Sequence, residues 1–197
     1  MKPFIQIAKT GHCLADINGI GSYSLYRAVY KKYYNSAKPN VVGYTTVSVL
    51  DDGTRNLLSR VDTPKWPTII LVRNPIERFK AACVYTKQTS EEAIDSILRL
   101  MQELEGDSYL FEENSWFEPV VNYLTPGVEN LLFKYPLHID QAVRLLEIDV
   151  PFNLELDGVS CVDLPLTQSQ KNQIRELYAK DIELYKSILT PGQKVTI

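Results

Sequence analysis

The sequence predicts an α/β fold, a three-layer α/β/α sandwich on a mainly parallel sheet. Three observations carry this. Strand-like runs alternate with stretches of helical periodicity, the order that lays parallel strands side by side with helices on both faces. The run Thr68-Ile69-Ile70-Leu71-Val72 is almost wholly apolar and β-branched, as expected of a strand covered on both faces. Near the N-terminus a strand, a glycine-containing loop and a helix follow one another directly.

The elements come in this order. Phe4 to Ile7 and His12 to Ile17 are strand candidates. Asn18-Gly19-Ile20-Gly21-Ser22-Tyr23-Ser24 is a turn-forming stretch. From Leu25 the pattern is helical to about Tyr34, with Leu25, Ala28, Val29 and Tyr33 on one face. Val41 to Leu50 is β-branched and reads as a strand, followed by an Asp51-Asp52-Gly53 turn. The Thr68–Val72 strand stops at Arg73-Asn74-Pro75, where the proline opens a helix through Phe79 and Ala82.

Thr89-Ser90-Glu91-Glu92 fits a capping box, and the helix after it puts Ile94, Ile97, Leu98, Met101 and Leu104 on one side. Trp116 to Leu124 is a weaker helical stretch. Leu131 to Tyr135 is a short strand and His138 to Leu146 a helix. Thr167-Gln168-Ser169-Gln170 is a second capping box. It opens a last helix to about Ile188 with Ile174, Leu177, Ile182, Tyr185 and Ile188 on its apolar face.

Composition sets the class. With 197 residues, 45% hydrophobic and 23% charged, the chain suits one domain, residues 1–197. A net charge of -3 argues against a general nucleic-acid binder. No apolar run is long enough to span a membrane, and Met1-Lys2-Pro3-Phe4 has no signal-peptide pattern. Cys13, Cys83 and Cys161 are too widely spaced for a zinc or dithiol motif and read as reduced thiols of a cytoplasmic protein. With only two histidines, no metal site is expected.

Chemistry concentrates in two places. The Gly19–Ser24 stretch leads from a strand into a helix, an arrangement that aims backbone N–H groups outward and suits an anion. Ser22 and Ser24 add hydroxyls. A helix cap by Ser22 beside turn-forming glycines explains the same residues. Gly-Lys-Ser/Thr of the strict P-loop is missing. The second place is Arg73, at the carboxyl end of a buried strand, where open α/β sheets bind ligands. Its planar fork suits phosphate. Pairing of Arg73 with a structural carboxylate, and of Arg78 with Glu77 or solvent, is the competing reading. Among candidate bases, His12 begins the strand beside the loop and His138 begins a helix.

Taken together, Gly21-Ser22-Tyr23-Ser24-Leu25 and Val72-Arg73-Asn74-Pro75-Ile76-Glu77-Arg78-Phe79 resemble the sulfotransferases that use 3′-phosphoadenosine 5′-phosphosulfate (PAPS). Fainter echoes are Trp116-Phe117-Glu118-Pro119, Tyr123-Leu124, Leu131-Leu132-Phe133-Lys134-Tyr135 and Tyr178-x-x-Asp181. The resemblance implies a P-loop NTPase-like, sulfotransferase-like sandwich. It also implies a cofactor, PAPS or its product 3′-phosphoadenosine 5′-phosphate (PAP). On that reading Gly19, Ile20, Gly21, Ser22, Tyr23 and Ser24 hold the 5′-phosphosulfate, and Arg73 with Arg78 serves the 3′-phosphate end. A small-molecule or glycan acceptor supplies a hydroxyl or amine, and no nucleic acid or membrane partner is implied.

The chain departs from that family's pattern at four positions. Gly19 stands where the loop lysine is usual, Ala81 where a serine binds the 3′-phosphate, Trp116 where one branch has histidine, and Pro136 where glutamate is usual. Ile7-Ala8-Lys9-Thr10-Gly11 offers a lysine from elsewhere. The expected catalytic set is therefore Ser22, Lys9 and His12, in-line sulfuryl transfer the first reading, and a binding module that has lost transfer the second. A nucleotide kinase is a third reading, opposed by the missing Gly-Lys-Ser/Thr and by the lack of a magnesium-holding acid after a strand.

Overall fold

In a computed structural model of the chain, the described residues are 4–22, 24–25, 28–29, 32, 58–103, 116–148 and 163–197. The strand expected at 41–50, the turn at 51–53, the end of the first helix, Tyr23, Leu104 and Cys161 lie outside them.

Among the described residues, six strands form one sheet in the order β3-β1-β2-β4-β5-β6. β1 (Phe4–Ile7) and β2 (His12–Ala15) make a hairpin with Ile7 opposite His12. β3 (Leu58–Val61) adds antiparallel to β1. β4 (Thr68–Arg73) runs parallel to β2, and β5 (Asn130–Tyr135) parallel to β4. β6 (Gln193–Val195) closes the order antiparallel to β5.

The sheet is thus mixed, and the expectation of a mainly parallel one is corrected. Of its five strand pairs only β2–β4 and β4–β5 are parallel, and the other three are antiparallel. A four-residue connection between β1 and β2 reverses the chain and permits only an antiparallel pair. The parallel centre is nonetheless where the sequence placed its apolar strand. All six residues of β4 are buried, so both of its faces are covered. Ile69, Ile70, Leu71 and Val72 expose no surface, each stabilising the fold by about 1.5–3 kcal/mol.

Among the described residues of the first helix, Ser22, Ser24, Leu25, Ala28, Val29 and Lys32 are helical, so it begins three residues before Leu25. α1 (Pro75–Tyr85) follows β4 directly. Asn74 caps it, its Oδ1 accepting from Ile76 N at 3.0 Å, and Pro75 fills a first-turn position where no N–H is needed. α2 (Glu91–Glu103) is capped by Ser90, whose Oγ accepts from Ala93 N at 3.3 Å. The cap is therefore one residue later than the Thr89-to-Glu92 box, and the third helical position, Ala93, has no arm to reach back.

The stretch from Trp116 is a turn followed by a short 3-10 helix, Val120–Tyr123, not a helix to Leu124. α3 (Ile139–Leu145) follows β5. The capping box of α4 (Gln168–Leu177) forms as expected, with Thr167 Oγ1 accepting from Gln170 N at 3.2 Å and Gln170 Oε1 from Thr167 N at 2.9 Å. The single long helix expected to Ile188 is instead two, because the chain bends at Tyr178 before α5 (Ala179–Ser187).

Two apolar clusters hold these elements. One joins the sheet to Leu25, Ala28 and Val29 and to Ile139 and Ala142 of α3. The other joins Phe79 and Cys83 of α1, Ile94, Leu98 and Met101 of α2, Phe117, and Ile174 at the end of α4. No described helix is long and apolar enough to cross a membrane.

Candidate functional site

β2 and β4 are neighbours and parallel, so the segments leaving their carboxyl ends emerge at one edge of the sheet. From β2 the chain passes through Asp16, Ile17, Asn18, Gly19, Ile20 and Gly21 into the helix at Ser22. From β4 the last residue is Arg73. The two meet: Arg73 Nη1 donates to the Gly19 carbonyl at 3.2 Å. Arg73 is 6% exposed and lies 5.6 Å from the centre of the Tyr135 ring, within cation–π range. Tyr135 is its register partner on β5.

The loop has the backbone its glycines allow. Gly19 has φ +75° and Gly21 φ +87°, both left-handed. A side chain at 21 has no room either, because a Cβ there would lie 2.7 Å from Cδ2 of Tyr135. Ile20 is fully buried, so only its backbone serves the loop surface. Ser22 is helical rather than a cap, and its Oγ donates to the Ile17 carbonyl at 2.5 Å. A hydroxyl has one proton, so that bond occupies the donor expected for a ligand. Ser24 differs: its Oγ is buried and has no hydrogen-bond partner. A buried hydroxyl without a partner in the first turn after the loop is suited to an anionic oxygen.

Arg78 does not reach solvent or Glu77, which pairs with Lys80 at 3.2 Å. It is 2% exposed and turned under the loop. Nε donates to the Asn18 carbonyl at 3.2 Å and Nη1 to the Glu118 carbonyl at 2.5 Å. Nη1 also lies 4.0 Å from Asp181 Oδ2. The Asp181 carboxylate accepts from Val120 N at 2.8 Å and Val121 N at 2.9 Å, capping the 3-10 helix. Burial raises its pKa above the ordinary carboxylate value, against the opposing pull of Arg78 and the two N–H groups. The Glu118 side chain is buried nearby and accepts from the Tyr123 hydroxyl at 2.9 Å. Burial, then the charge of Glu118, keeps that phenol protonated.

Lys9 and His12 are not part of this assembly. Lys9 is in the β1–β2 turn and His12 is the first residue of β2, so both lie at the amino edge of β2, opposite the loop. At roughly 3.3 Å per residue, His12 is about 10 Å from Ala15 before the loop even begins. The expectation that they share the pocket is corrected by the direction of the strand. His138, at the other carboxyl end, has a structural role: Nδ1 accepts from Lys134 N at 3.2 Å.

The other departures now have surroundings. A Cβ on Gly19 would meet the Trp116 ring at 3.5 Å and Arg78 Cγ at 3.6 Å. Trp116 is stacked on Tyr85 at 3.8 Å between ring centres. Ala81 is fully buried and offers no donor, and Pro136 is exposed just after β5.

Compared with protein-family models, curated proteins and solved structures, the chain gives no match. The chemistry of the site therefore rests on its own geometry. Of the residues expected there, Gly19, Ile20, Gly21, Ser22, Ser24, Arg73 and Arg78 come together, while Lys9 and His12 do not, and Tyr23 is outside the described residues. Glu118 and Tyr135 stood in short motifs of the sequence, but their contacts with Tyr123 and with Gly21 and Arg73 were not foreseen. The motif Tyr178-x-x-Asp181 was visible, but its partner Arg78 was not.

Proposed function

We propose that this chain binds an adenine nucleotide phosphorylated at both the 3′ and 5′ positions, PAP or PAPS. The scaffold is a P-loop-like sandwich of the sulfotransferase kind, and binding rather than sulfuryl transfer is the working activity. The observation that carries the reading is the junction of Arg73 with Gly19, which puts a guanidinium and a loop-to-helix turn at one edge of the parallel strands. A guanidinium has five donors, enough to hold a loop carbonyl and two phosphate oxygens together. The helix beginning at Ser22 favours the second anionic group at its N-terminus, and the unpartnered Ser24 hydroxyl supplies a donor there.

Sulfuryl transfer asks more of the site than binding does. Stabilising charge on the oxygen that leaves with the nucleotide requires a placed cation or donor. Ser22 already donates to Ile17, Lys9 and His12 lie at the far edge, and Gly19 carries no side chain. Arg73 and the loop-to-helix turn, which would bind, are retained; the loop lysine that would help move the sulfuryl group is replaced by Gly19, and the 3′-phosphate end lacks the serine hydroxyl at Ala81.

Calorimetric titration with PAP, paired with a radiolabelled-PAPS assay over hydroxyl, amine and glycan acceptors, tests this. Binding of PAP without transfer is the expected result. Rapid transfer would overturn the binding-only reading, and failure to bind PAP would overturn the nucleotide assignment itself.

A further inference from the structure

We infer that Asp181 is a positioning residue for the anion loop, acting through Arg78 from the far end of the chain. The inference rests on the nucleotide-binding reading for its ligand, but the geometry stands on its own.

Two arginines hold consecutive carbonyls of the loop. Arg78 Nε takes that of Asn18 and Arg73 Nη1 that of Gly19, each at 3.2 Å. In a planar trans peptide the N–H points opposite to the C=O. Fixing the carbonyls of residues 18 and 19 toward the arginines therefore turns the N–H groups of Gly19 and Ile20 the other way. The clamp sets the direction of backbone donors, which is the property an anion loop needs.

Arg73 reaches the loop from the adjacent strand, but Arg78 reaches it from α1 with its charge almost fully buried. A buried guanidinium needs a counter-charge, and losing the partner of such a pair is strongly destabilising. Asp181 supplies that charge at 4.0 Å, with side-chain exposures of 2% for Arg78 and 1% for Asp181. Asp181 is itself fixed by the two N–H groups of Val120 and Val121. One turn earlier, the Tyr178 hydroxyl donates to the Phe117 carbonyl at 2.6 Å, seating the same end of the helix pair against the 116–123 segment. The chain from α5 to loop is thus Asp181, Arg78, Asn18, with no contact between Asp181 and the loop required.

The test uses Asp181→Asn and the double variant Arg78→Met/Asp181→Asn, each in a Trp66→Phe background. The double variant removes the buried unpaired charge that Asp181→Asn alone leaves, and so stays informative if the single variant does not fold. With Trp66 replaced, Trp116 is the sole tryptophan, and its ring sits 3.5 Å from the Cβ position of Gly19. PAP affinity is measured by calorimetry below the melting temperature, alongside Trp116 emission. The expected result is an affinity about tenfold or more below that of the parent, the scale of one charged hydrogen bond, together with a shifted emission. A merely structural role lowers the melting temperature and leaves affinity of the folded protein unchanged. A folded variant that binds PAP within twofold of the parent overturns the inference. If the parent does not bind PAP, the nucleotide reading fails separately and the emission decides: a shift supports the coupling, and an unchanged spectrum in the folded double variant overturns it.

Discussion

The ring of Tyr135 rests on the backbone of Gly21. Its Cδ2 is 2.7 Å from where a Cβ would stand, and Gly21 has φ +87°. The same ring lies under the Arg73 guanidinium. One aromatic side chain from β5 therefore fills the space between the loop and the arginine, fixing both from beneath.

Gly21→Ala should accordingly lower stability. Overpacking against the ring costs about 1–3 kcal/mol, and a left-handed backbone for alanine a further ~1 kcal/mol. Urea unfolding measures the sum. Combining Gly21→Ala with Tyr135→Leu should recover the packing share in a double-mutant cycle. An alanine variant as stable as the wild type would mean the ring does not rest on the loop.

Restoring the lysine of the sulfotransferase pattern should not restore transfer. Gly19→Lys places a side chain at φ +75° and directs it at Trp116 and Arg78 rather than into open space. The expected outcome is a less stable protein with no gain in PAPS hydrolysis or transfer. Lys9→Ala, at the opposite edge, should leave PAP affinity within about twofold, under ~0.5 kcal/mol. A clear rise in turnover for Gly19→Lys, or a collapse of binding for Lys9→Ala, contradicts this placement.

Stability should fall on mild acidification through His138. Burial, and then the charge of Lys134, lowers its pKa from the ordinary 6.5. The folded form thus binds fewer protons than the unfolded one in this range. The contribution is present in full above pH 6.5 and declines as the pH falls through that value toward the lowered one. Protonation also removes the acceptor that Nδ1 offers to Lys134 N. Unfolding measured from pH 8 to 5 should show this slope in the wild type and a shallower one in His138→Gln. Equal slopes would remove His138 from the account.

Much of the sheet was legible because its central strands carry their own signal. β4 is apolar at almost every position, and its partners β2 and β5 are short runs with apolar centres. β3 and β6 were not legible. Leu58-Ser59-Arg60-Val61 and Gln193-Lys194-Val195 are short and half polar, and pairing with a neighbour rather than local preference makes them strands. The bend at Tyr178 was hidden for a related reason. Its hydroxyl is bound to Phe117, 61 residues earlier, and helical periodicity reports nothing at that range.

At the site, the meeting of Gly19 and Arg73 was legible from two motifs at the ends of predicted strands. Lys9 and His12 were misplaced although the direction of β2 already separated them from the loop. The network joining Arg78 to Asp181 was beyond reach, since 103 residues of chain separate its charges and only the folded packing of α5 against the 3-10 helix brings them together.

The central claim is that Arg73 reads the 3′-phosphate of a nucleotide seated on the Gly19–Ser24 loop. Calorimetry of wild type and Arg73→Ala with PAP and with adenosine 5′-phosphate tests it most directly. Arg73→Ala should weaken PAP binding by about 1.5–3 kcal/mol, and Arg73→Lys should also lose affinity because the planar fork is gone. The account predicts that wild type prefers PAP over adenosine 5′-phosphate and that Arg73→Ala abolishes the preference. Equal affinity of the wild type for the two nucleotides, or a preference that survives in Arg73→Ala, would contradict it.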